Sequence, residues 1–286
     1  MNGFLVINKD LGYTSRDVVN ILSKALGTKK VGHTGTLDPM ASGVLVLCVG
    51  NGLKLCELLT NHDKEYIASI TLGIETDTLD MDGAVLSTTI VDIDENAIRQ
   101  VVDSFCTTYL QEVPKYSAVK VNGKKLYEYA RNNIPVELPK KMVTISSIEI
   151  IGDIEYVEGK INFKIKTTVS KGTYIRSLVR DIGRKLNCPS VMSGLIRTRV
   201  GEFTIENACT IEDIKNNNFT LIPINDILSN MKKIIVDDDM AKKIRNGVVL
   251  KPFFDENMAV IYDKSDILIA IYQNIENKAR VYKMFV

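Results

Sequence analysis

GHTGTLDPMASGVL (Gly32–Leu45) places two glycines, a histidine and two threonines ahead of a single carboxylate, then runs through small residues into an apolar stretch. That composition predicts a tight loop presenting Asp38. Pro39 pushes the residue before it out of the helical region toward extended geometry, so Asp38 is expected at a loop edge with a defined backbone angle. Behind it, Val44-Leu45-Val46-Leu47-Cys48-Val49 predicts a buried strand. The competing role for an Asp-Pro pair is a helix start, with Asp as N-cap and Pro at the first helical position. The rest of the chain decides between the two.

At 286 residues the chain can bury a sizeable core, as one large domain or two smaller ones. Its 45% hydrophobic and 25% charged residues are those of an ordinary globular protein. MNGFLVINKD has no basic region leading into a long apolar one, so no signal peptide is expected. No apolar run approaches the roughly 20 residues that span a bilayer. Five scattered cysteines without a C-x-x-C pair argue for reduced thiols and a cytoplasmic setting. Two histidines, His33 and His62, with no close cysteine pair argue against zinc. Neither a phosphate-binding loop nor a G-x-G-x-x-G is present, so nucleotide cofactors have no support.

The net charge of +1 conceals an uneven distribution. Residues 75–112 hold nine acids against Arg99, a net of −8; residues 164–199 hold nine bases against Asp181, a net of +8. Residues 115–141 add a net of +5. This asymmetry predicts a polyanion-binding face with an acidic side turned away.

Hydrophobic periodicity sets a coarse order. Gly3–Lys9 reads as a strand, and Ser15 caps a helix with Val18, Val19, Leu22 and Ala25 inward, ended by Gly27. A helix is expected near Gly52–Thr60, and a strand over Lys64–Gly73 with Tyr66, Ala68, Ile70 and Leu72 on one face. Asp77–Gly83 is an acidic turn lacking the full spacing of a calcium loop. Asp94–Phe105 predicts a helix, Val113–Val121 an extended segment, and Lys124–Asn132 a further helix. Val143–Ile151 and Ile161–Val169 alternate as strands of a largely antiparallel sheet. Gly172–Leu186 is a short lead-in and a helix, and Gly194–Phe203 a strand. Leu221–Leu228 (LIPINDIL) resembles a hinge before a small β-rich unit.

Ser117-Ala118-Val119-Lys120 matches the S-x-x-K of penicillin-interacting serine enzymes, but the companion S-D-N and K-T-G elements are missing, so the match is coincidental. What remains is Asp38 on a loop, Tyr66 on a strand, and Tyr174 with Arg176 opening a helix. A carboxylate beside an arginine stays ionised and can act as nucleophile or base at a sugar carbon. Nearby tyrosines offer a stacking surface for an extruded base.

GHTGTLDPMASGVL, KEYIASITLG, VPKYSAVKVNGKKLYEYAR, SKGTYIRSLVRDIG and GLIRTRVGEF occur in the order seen in the TruB family of tRNA pseudouridine synthases. The resemblance runs from INKDLGYTSRDVV to LIPINDIL and is nearer to the bacterial, stand-alone branch than to the guide-RNA-dependent one. It implies an α+β fold: a mixed, mostly antiparallel central sheet with flanking helices over residues 1–230, and a small β-rich RNA-binding module of PUA type over 231–286. It implies Asp38 as the catalytic aspartate, Tyr66 stacking on the flipped uracil and assisting loss of its C5 proton, Arg176 pairing with Asp38, and Tyr174 lining the pocket. His33 would contact the T-loop near the vacated base position, while Lys9 and Leu195 would support the pocket. The sequence departs from the family pattern at Val113, where the first of two prolines is usual, and at Lys141, where arginine is usual and the bidentate fork is lost.

The implied activity is conversion of uridine to pseudouridine at position 55, in the T-arm of tRNA, with no metal or cofactor. The chain is expected to act as a monomer in the cytoplasm, without membrane or obligatory protein partner. The rivals are a tRNA-binding and folding protein without required catalysis, and a guide-dependent synthase that needs partners. A glycosidase is disfavoured, because no second carboxylate accompanies Asp38 in its motif.

Overall fold

The computed structural model describes residues 1–285. Strand β1 (Gly3–Lys9) leads into helix α1 (Ser15–Ala25), then β2 (Val31–His33), β3 (Ala41–Val49), a 3-10 turn over Gly50–Leu55 and α2 (Cys56–Thr60). Next come β4 (Lys64–Leu72), β5 (Ile74–Thr76), β6 (Val85–Thr88), α3 (Glu95–Asp103) and β7 (Thr108–Glu112). They are followed by β8 (Lys120–Val121), β9 (Lys124–Lys125), α4 (Leu126–Arg131), β10 (Lys140–Val157) and β11 (Lys160–Val169). Helix α5 (Ile175–Lys185), β12 (Ser190–Val200), β13 (Phe203–Thr204), α6 (Ile211–Lys215) and α7 (Ile224–Ile227) complete the larger part. The smaller part holds β14 (Lys232–Ile235), α8 (Asp238–Arg245), β15 (Met258–Tyr262), β16 (Leu268–Ile275) and β17 (Lys278–Met284). The expected α+β architecture is present.

Local chemistry explains the main elements. Along β11, Ile161, Phe163, Ile165, Thr167 and Val169 alternate into the core, and β4 buries Tyr66, Ala68, Ile70 and Leu72 in the same way. Helix α5 buries Ile175, Leu178, Val179 and Ile182 at helical spacing. Helix α1 starts one residue earlier than its sequence suggests. Thr14, not Ser15, is the cap, in a reciprocal box with Asp17. Ser15 is freed for another partner, described below. Val113–Val121 is mostly bends rather than strand, with pairing confined to Lys120–Val121.

The main sheet runs β1-β3-β12-β4-β11-β10-β7, with β2 added to β3 and β13 to β12. All its pairings are antiparallel except β12 on β3, where Leu195, Ile196 and Arg197 lie opposite Ala41, Ser42 and Gly43. On the other side of β12, Arg197 lies opposite Tyr66 and Leu195 opposite Ala68. Asp38 ends three residues before β3 begins, so this single parallel seam gathers Asp38, Tyr66, Leu195 and Arg197 at mid-sheet.

The apolar run of β3 is buried on both faces. Leu45, Leu47 and Val49 join the core beneath α1, α3, α5 and α6. Val44, Val46 and Cys48 join a second core shared with Val260, Tyr262 and Ile271 of the C-terminal sheet. The expected hinge is therefore stitched down. Phe4 and Ile222 exchange backbone hydrogen bonds of 2.9 and 2.7 Å, and Leu228 is buried in the shared core. Each buried side chain of this size contributes about 1.5–3 kcal/mol, so the shared core outweighs the freedom of a loose linker.

Gly43 is where the parallel seam is tightest. Its φ is +102°, and a Cβ there would collide with the backbone of Arg197. Gly43→Ala is expected to cost about 3 kcal/mol or more, from strain plus displacement of β12, which lowers Tm by roughly 6–12 °C. Gly27→Ala, at φ +61° with open space around it, is expected to cost only about 1–2 kcal/mol. Calorimetry on the two variants checks this, and equal losses would show that the close approach of β12 to β3 is not what Gly43 serves.

Candidate active site

Residues 34–40 form a loop without helical structure, so Asp38-Pro39 opens a turn rather than a helix. The Ala41 N–H donates to the Asp38 carbonyl at 3.0 Å and closes that turn. Nearly every residue of the loop is tied to a rigid element. Thr34 N–H donates to Val46 O at 3.0 Å, and Thr60 Oγ1 donates to Thr34 O at 2.8 Å. The buried Arg197 guanidinium donates to Gly35 O (3.1 Å), Thr36 O (3.4 Å) and Val44 O (2.7 Å). Ser15 Oγ accepts from Leu37 N–H at 2.9 Å and donates to Leu37 O at 3.2 Å. Gly12 N–H donates to Pro39 O at 2.9 Å. Asp38 is thereby fixed by its neighbours on both sides.

Opposite stands Arg176 in the first turn of α5, with its side chain 9% exposed. One Nη approaches Asp38 Oδ2 at 3.2 Å and donates to Tyr116 O at 3.0 Å. The other donates to Asp80 Oδ2 at 3.2 Å and to Thr78 O at 3.0 Å. One guanidinium thus bridges two carboxylates of different character. Asp80 is 5% exposed and is also held by the backbone N–H of Asp82, whereas the Asp38 side chain stays 39% exposed, open to the cleft.

The cleft, of about 680 Å³, is lined by Asp38, Tyr66, Tyr174, Arg176 and Leu195 together with Asp80, Tyr116, Lys64 and Arg197. Five of the seven residues proposed from the sequence therefore converge. His33 and Lys9 do not line it. His33 ends β2 at the root of the loop, half-buried, with Nδ1 unpartnered. Burial, with Arg16 and Arg197 nearby, holds its pKa below the ordinary value. Lys9 is fully buried and donates to Asp10 O (2.9 Å) and Tyr13 O (2.8 Å), which braces the segment that carries Gly12.

Sequence reasoning missed Asp80, Lys64, Ser15 and Arg197. It treated the acidic tract as turned away, but Asp80 pairs with Arg176, and Glu112 pairs with Arg180 at 3.1 Å. Much of the basic tract is likewise engaged internally, because Arg176, Arg180 and Arg197 are each under 9% exposed. The available signal was the alternation of β12, which puts Arg197 on the same face as Leu195. Among the described residues, no group of three His, Cys, Asp or Glu side chains could hold a metal ion. None of the described helices is long and apolar enough to cross a membrane.

Burial lowers Lys9 from 10.5 to about 8, against the raising influence of Asp10 and Asp38, and lowers Lys64 to about 8 beside Arg197 and Lys171. Burial likewise raises the Tyr174 phenol. Because the folded-state pKa of Lys9 lies below its unfolded value, the unfolded chain binds more protons between about pH 8 and 10.5, so the Lys9 contribution to stability rises with pH across that window. The stability difference between wild type and Lys9→Met should move toward the wild type by up to roughly 3 kcal/mol from pH 7.5 to 10.5. Urea unfolding at the two pH values measures it; a fixed difference would mean that burial does not burden this ammonium.

Two family models tile most of the chain. One, described as TruB family pseudouridylate synthase (N terminal domain), matches residues 23–175. The other, tRNA pseudouridylate synthase B C-terminal domain, matches residues 176–228. Among curated relatives, tRNA pseudouridine synthase B of Bacillus licheniformis is 45% identical over 258 residues, covering 87% of this chain and 84% of that protein. The protein of the same name from Bacillus subtilis is 42% identical, covering 95% and 93%. A solved H/ACA ribonucleoprotein bound to a substrate RNA containing 2'-deoxyuridine superposes with a TM-score of 0.69 at 23% identity, covering 99% of this chain and 85% of its counterpart. A Cbf5-Nop10-Gar1 complex gives 0.69 at 24%, covering 99% and 83%; both likenesses concern the fold. With models that meet at Tyr174-Ile175-Arg176 and relatives above 40% identical over most of their length, this chain belongs to the TruB family of pseudouridylate synthases.

Proposed function

We infer that this protein isomerises uridine to pseudouridine in tRNA, at position 55 of the T-loop. The observation that carries the reading is the Asp38–Arg176–Asp80 bridge at the floor of a cleft walled by Tyr66 and Tyr174. A base within a folded loop offers its reacting atoms to no side chain, so the nucleotide must be extruded into the cleft. Its volume lies in the range of small-ligand sites.

Asp38 then promotes cleavage of the N1–C1′ bond, by attack at C1′ or by removal of the C2′ proton. Both routes use the same exposed carboxylate. The freed uracil turns against Tyr66 and rejoins through C5, with Tyr66 assisting loss of the C5 proton and Tyr174 lining the pocket. The bond broken and the bond formed balance, C5 loses a proton and N1 gains one, so the isomerisation is redox-neutral. Leu195 lies in the seam beside the turning base, His33 faces the T-loop from the root of the Asp38 loop, and Lys9 braces that loop from behind.

Residues 1–230 would carry the chemistry and 231–286 would serve as a PUA-like RNA-binding module. We further propose that the chain works as a monomer in the cytoplasm, without a partner. Lys115, Lys120, Lys124, Arg131, Lys140 and Lys141 are exposed and suit phosphate contacts, so affinity for tRNA should fall steeply with added salt.

The test is incubation of the purified chain with an unmodified tRNA transcript carrying tritium at uracil C5. Release of label, with pseudouridine mapped to position 55, is expected from the chain alone. Activity only after a guide RNA or partner protein is added would overturn the stand-alone reading. Asp38→Asn should reduce product below detection while the tRNA Kd stays within about threefold; sustained turnover in that variant would remove Asp38 from the chemistry. A deuterium isotope effect at C2′ separates the two roles of the carboxylate.

A further inference from the structure

Helix α5 delivers both Tyr174 and Arg176 to the cleft, yet its first turn has no cap of its own. Tyr174 is the N-cap residue, extended at φ −102° and ψ 114°, and its side chain makes no capping hydrogen bond. What holds it comes from β7, an edge strand of the main sheet. Gln111 is 1% exposed. Its Oε1 accepts the Tyr174 backbone N–H at 2.8 Å, and its Nε2 donates to the Tyr174 carbonyl at 3.2 Å. The side-chain amide thus pairs with one residue's backbone as a neighbouring strand would.

The amide has one workable orientation. Nε2 also donates to Tyr109 Oη at 2.7 Å, and that hydroxyl donates to Asp181 Oδ2 at 3.3 Å. Turning the amide over would set donor against donor and acceptor against acceptor at Tyr174. One residue on, the Glu112 carbonyl accepts from Ser177 Oγ at 2.8 Å and from Arg180 at 3.1 Å. The end of β7 therefore grips the N-cap and first two turns of α5 at Tyr174, Ser177 and Arg180.

We propose that Gln111 is a positioning residue for catalysis, whose amide clamps the Tyr174 backbone and so fixes Tyr174 and Arg176 relative to Asp38. This rests on the function proposed above. The groups that face the clamp are Tyr109 and Glu112 on β7, Asp181, Arg180 and Arg184 on α5, and Lys141 opposite it on β10.

Gln111→Glu tests the clamp. An ionised carboxylate places acceptors against the Tyr174 carbonyl, and this variant should lose roughly 100-fold in kcat at pH 8, the scale expected for an ångström of misplacement, with KM and tRNA Kd within about threefold. Protonated, the introduced carboxyl again donates to that carbonyl. Burial beside Asp181 raises its pKa, so kcat relative to wild type should recover about tenfold as the pH falls from 8 to 6. Gln111→Leu, which removes the amide without adding charge, should lose kcat to a similar degree with no recovery at low pH. Wild-type kcat in both variants at pH 8, or a pH-independent loss in the glutamate variant, overturns the proposal. A silent wild type in the same tritium-release assay would instead overturn the functional reading, so the two failures are distinguishable.

Discussion

A buried guanidinium without a carboxylate partner holds the loop on which the site depends. Arg197 is 2% exposed and, among the described residues, pairs with no acid. Moving such a charge out of water costs several kcal/mol. The three carbonyls of Gly35, Thr36 and Val44 supply the compensation, at about 1.5–3 kcal/mol for each bond to a charged donor. A loop that turned these carbonyls elsewhere would leave the cation unsatisfied, so the loop has essentially one arrangement. Lys9 and Lys64 follow the same logic, each with an ammonium seated on two backbone carbonyls. Lys64, Arg176 and Arg197 line the cleft beside the exposed Asp38 carboxylate and favour the approach of a polyanion.

The sheet makes this arrangement possible. In an antiparallel meander, neighbouring strands are joined by short turns, and their ends are filled by those turns. The Asp38 loop also joins an antiparallel pair, β2 and β3, but the first residues of β3 precede that pairing and face β12 in parallel instead, which leaves room for a longer loop over the seam. Gly43 lets the two backbones approach, which brings Arg197 beneath the loop and sets Leu195 and Tyr66 beside it on the same face. The seam and the buried cation therefore require each other.

Where side-chain periodicity meets a buried face, the chain was readable in advance. Strand β1 spans the expected Gly3–Lys9, β4 shows the expected alternation, and α5 follows the expected spacing. The motif residues Asp38, Tyr66, Tyr174, Arg176 and Leu195 meet in one cleft. What stayed hidden depends on contacts distant in sequence. Thr14 and Ser15 both suit a cap, and only the 2.9 Å contact from Leu37 N–H to Ser15 Oγ shows which of them is engaged elsewhere. Asp80 sits among acids that resemble a solvated turn, until Arg176 is seen across 96 residues. The run Val44–Val49 signalled a buried strand, but nothing local showed that both its faces are covered or that a C-terminal sheet supplies one of them. Linear charge counting overstated the separation of the two tracts for the same reason, because they are partners at Asp80–Arg176 and Glu112–Arg180.

Asp80 also explains why the Asp38 carboxylate can stand beside a buried arginine and remain available. With Asp38 as its only partner, Arg176 would hold that carboxylate through as many of its donors as geometry allowed. Here Asp80, Thr78 O and Tyr116 O occupy three donor positions, and a single approach at 3.2 Å is left for Asp38 Oδ2. The buried acid balances the charge of the cation, while the planar fork keeps its direction. Asp38 is thus oriented without being fully satisfied, and its open side faces the cleft. A lysine in place of Arg176 could carry the charge but could not address two carboxylates and two carbonyls at fixed angles, so it would neutralise the site and lose its geometry.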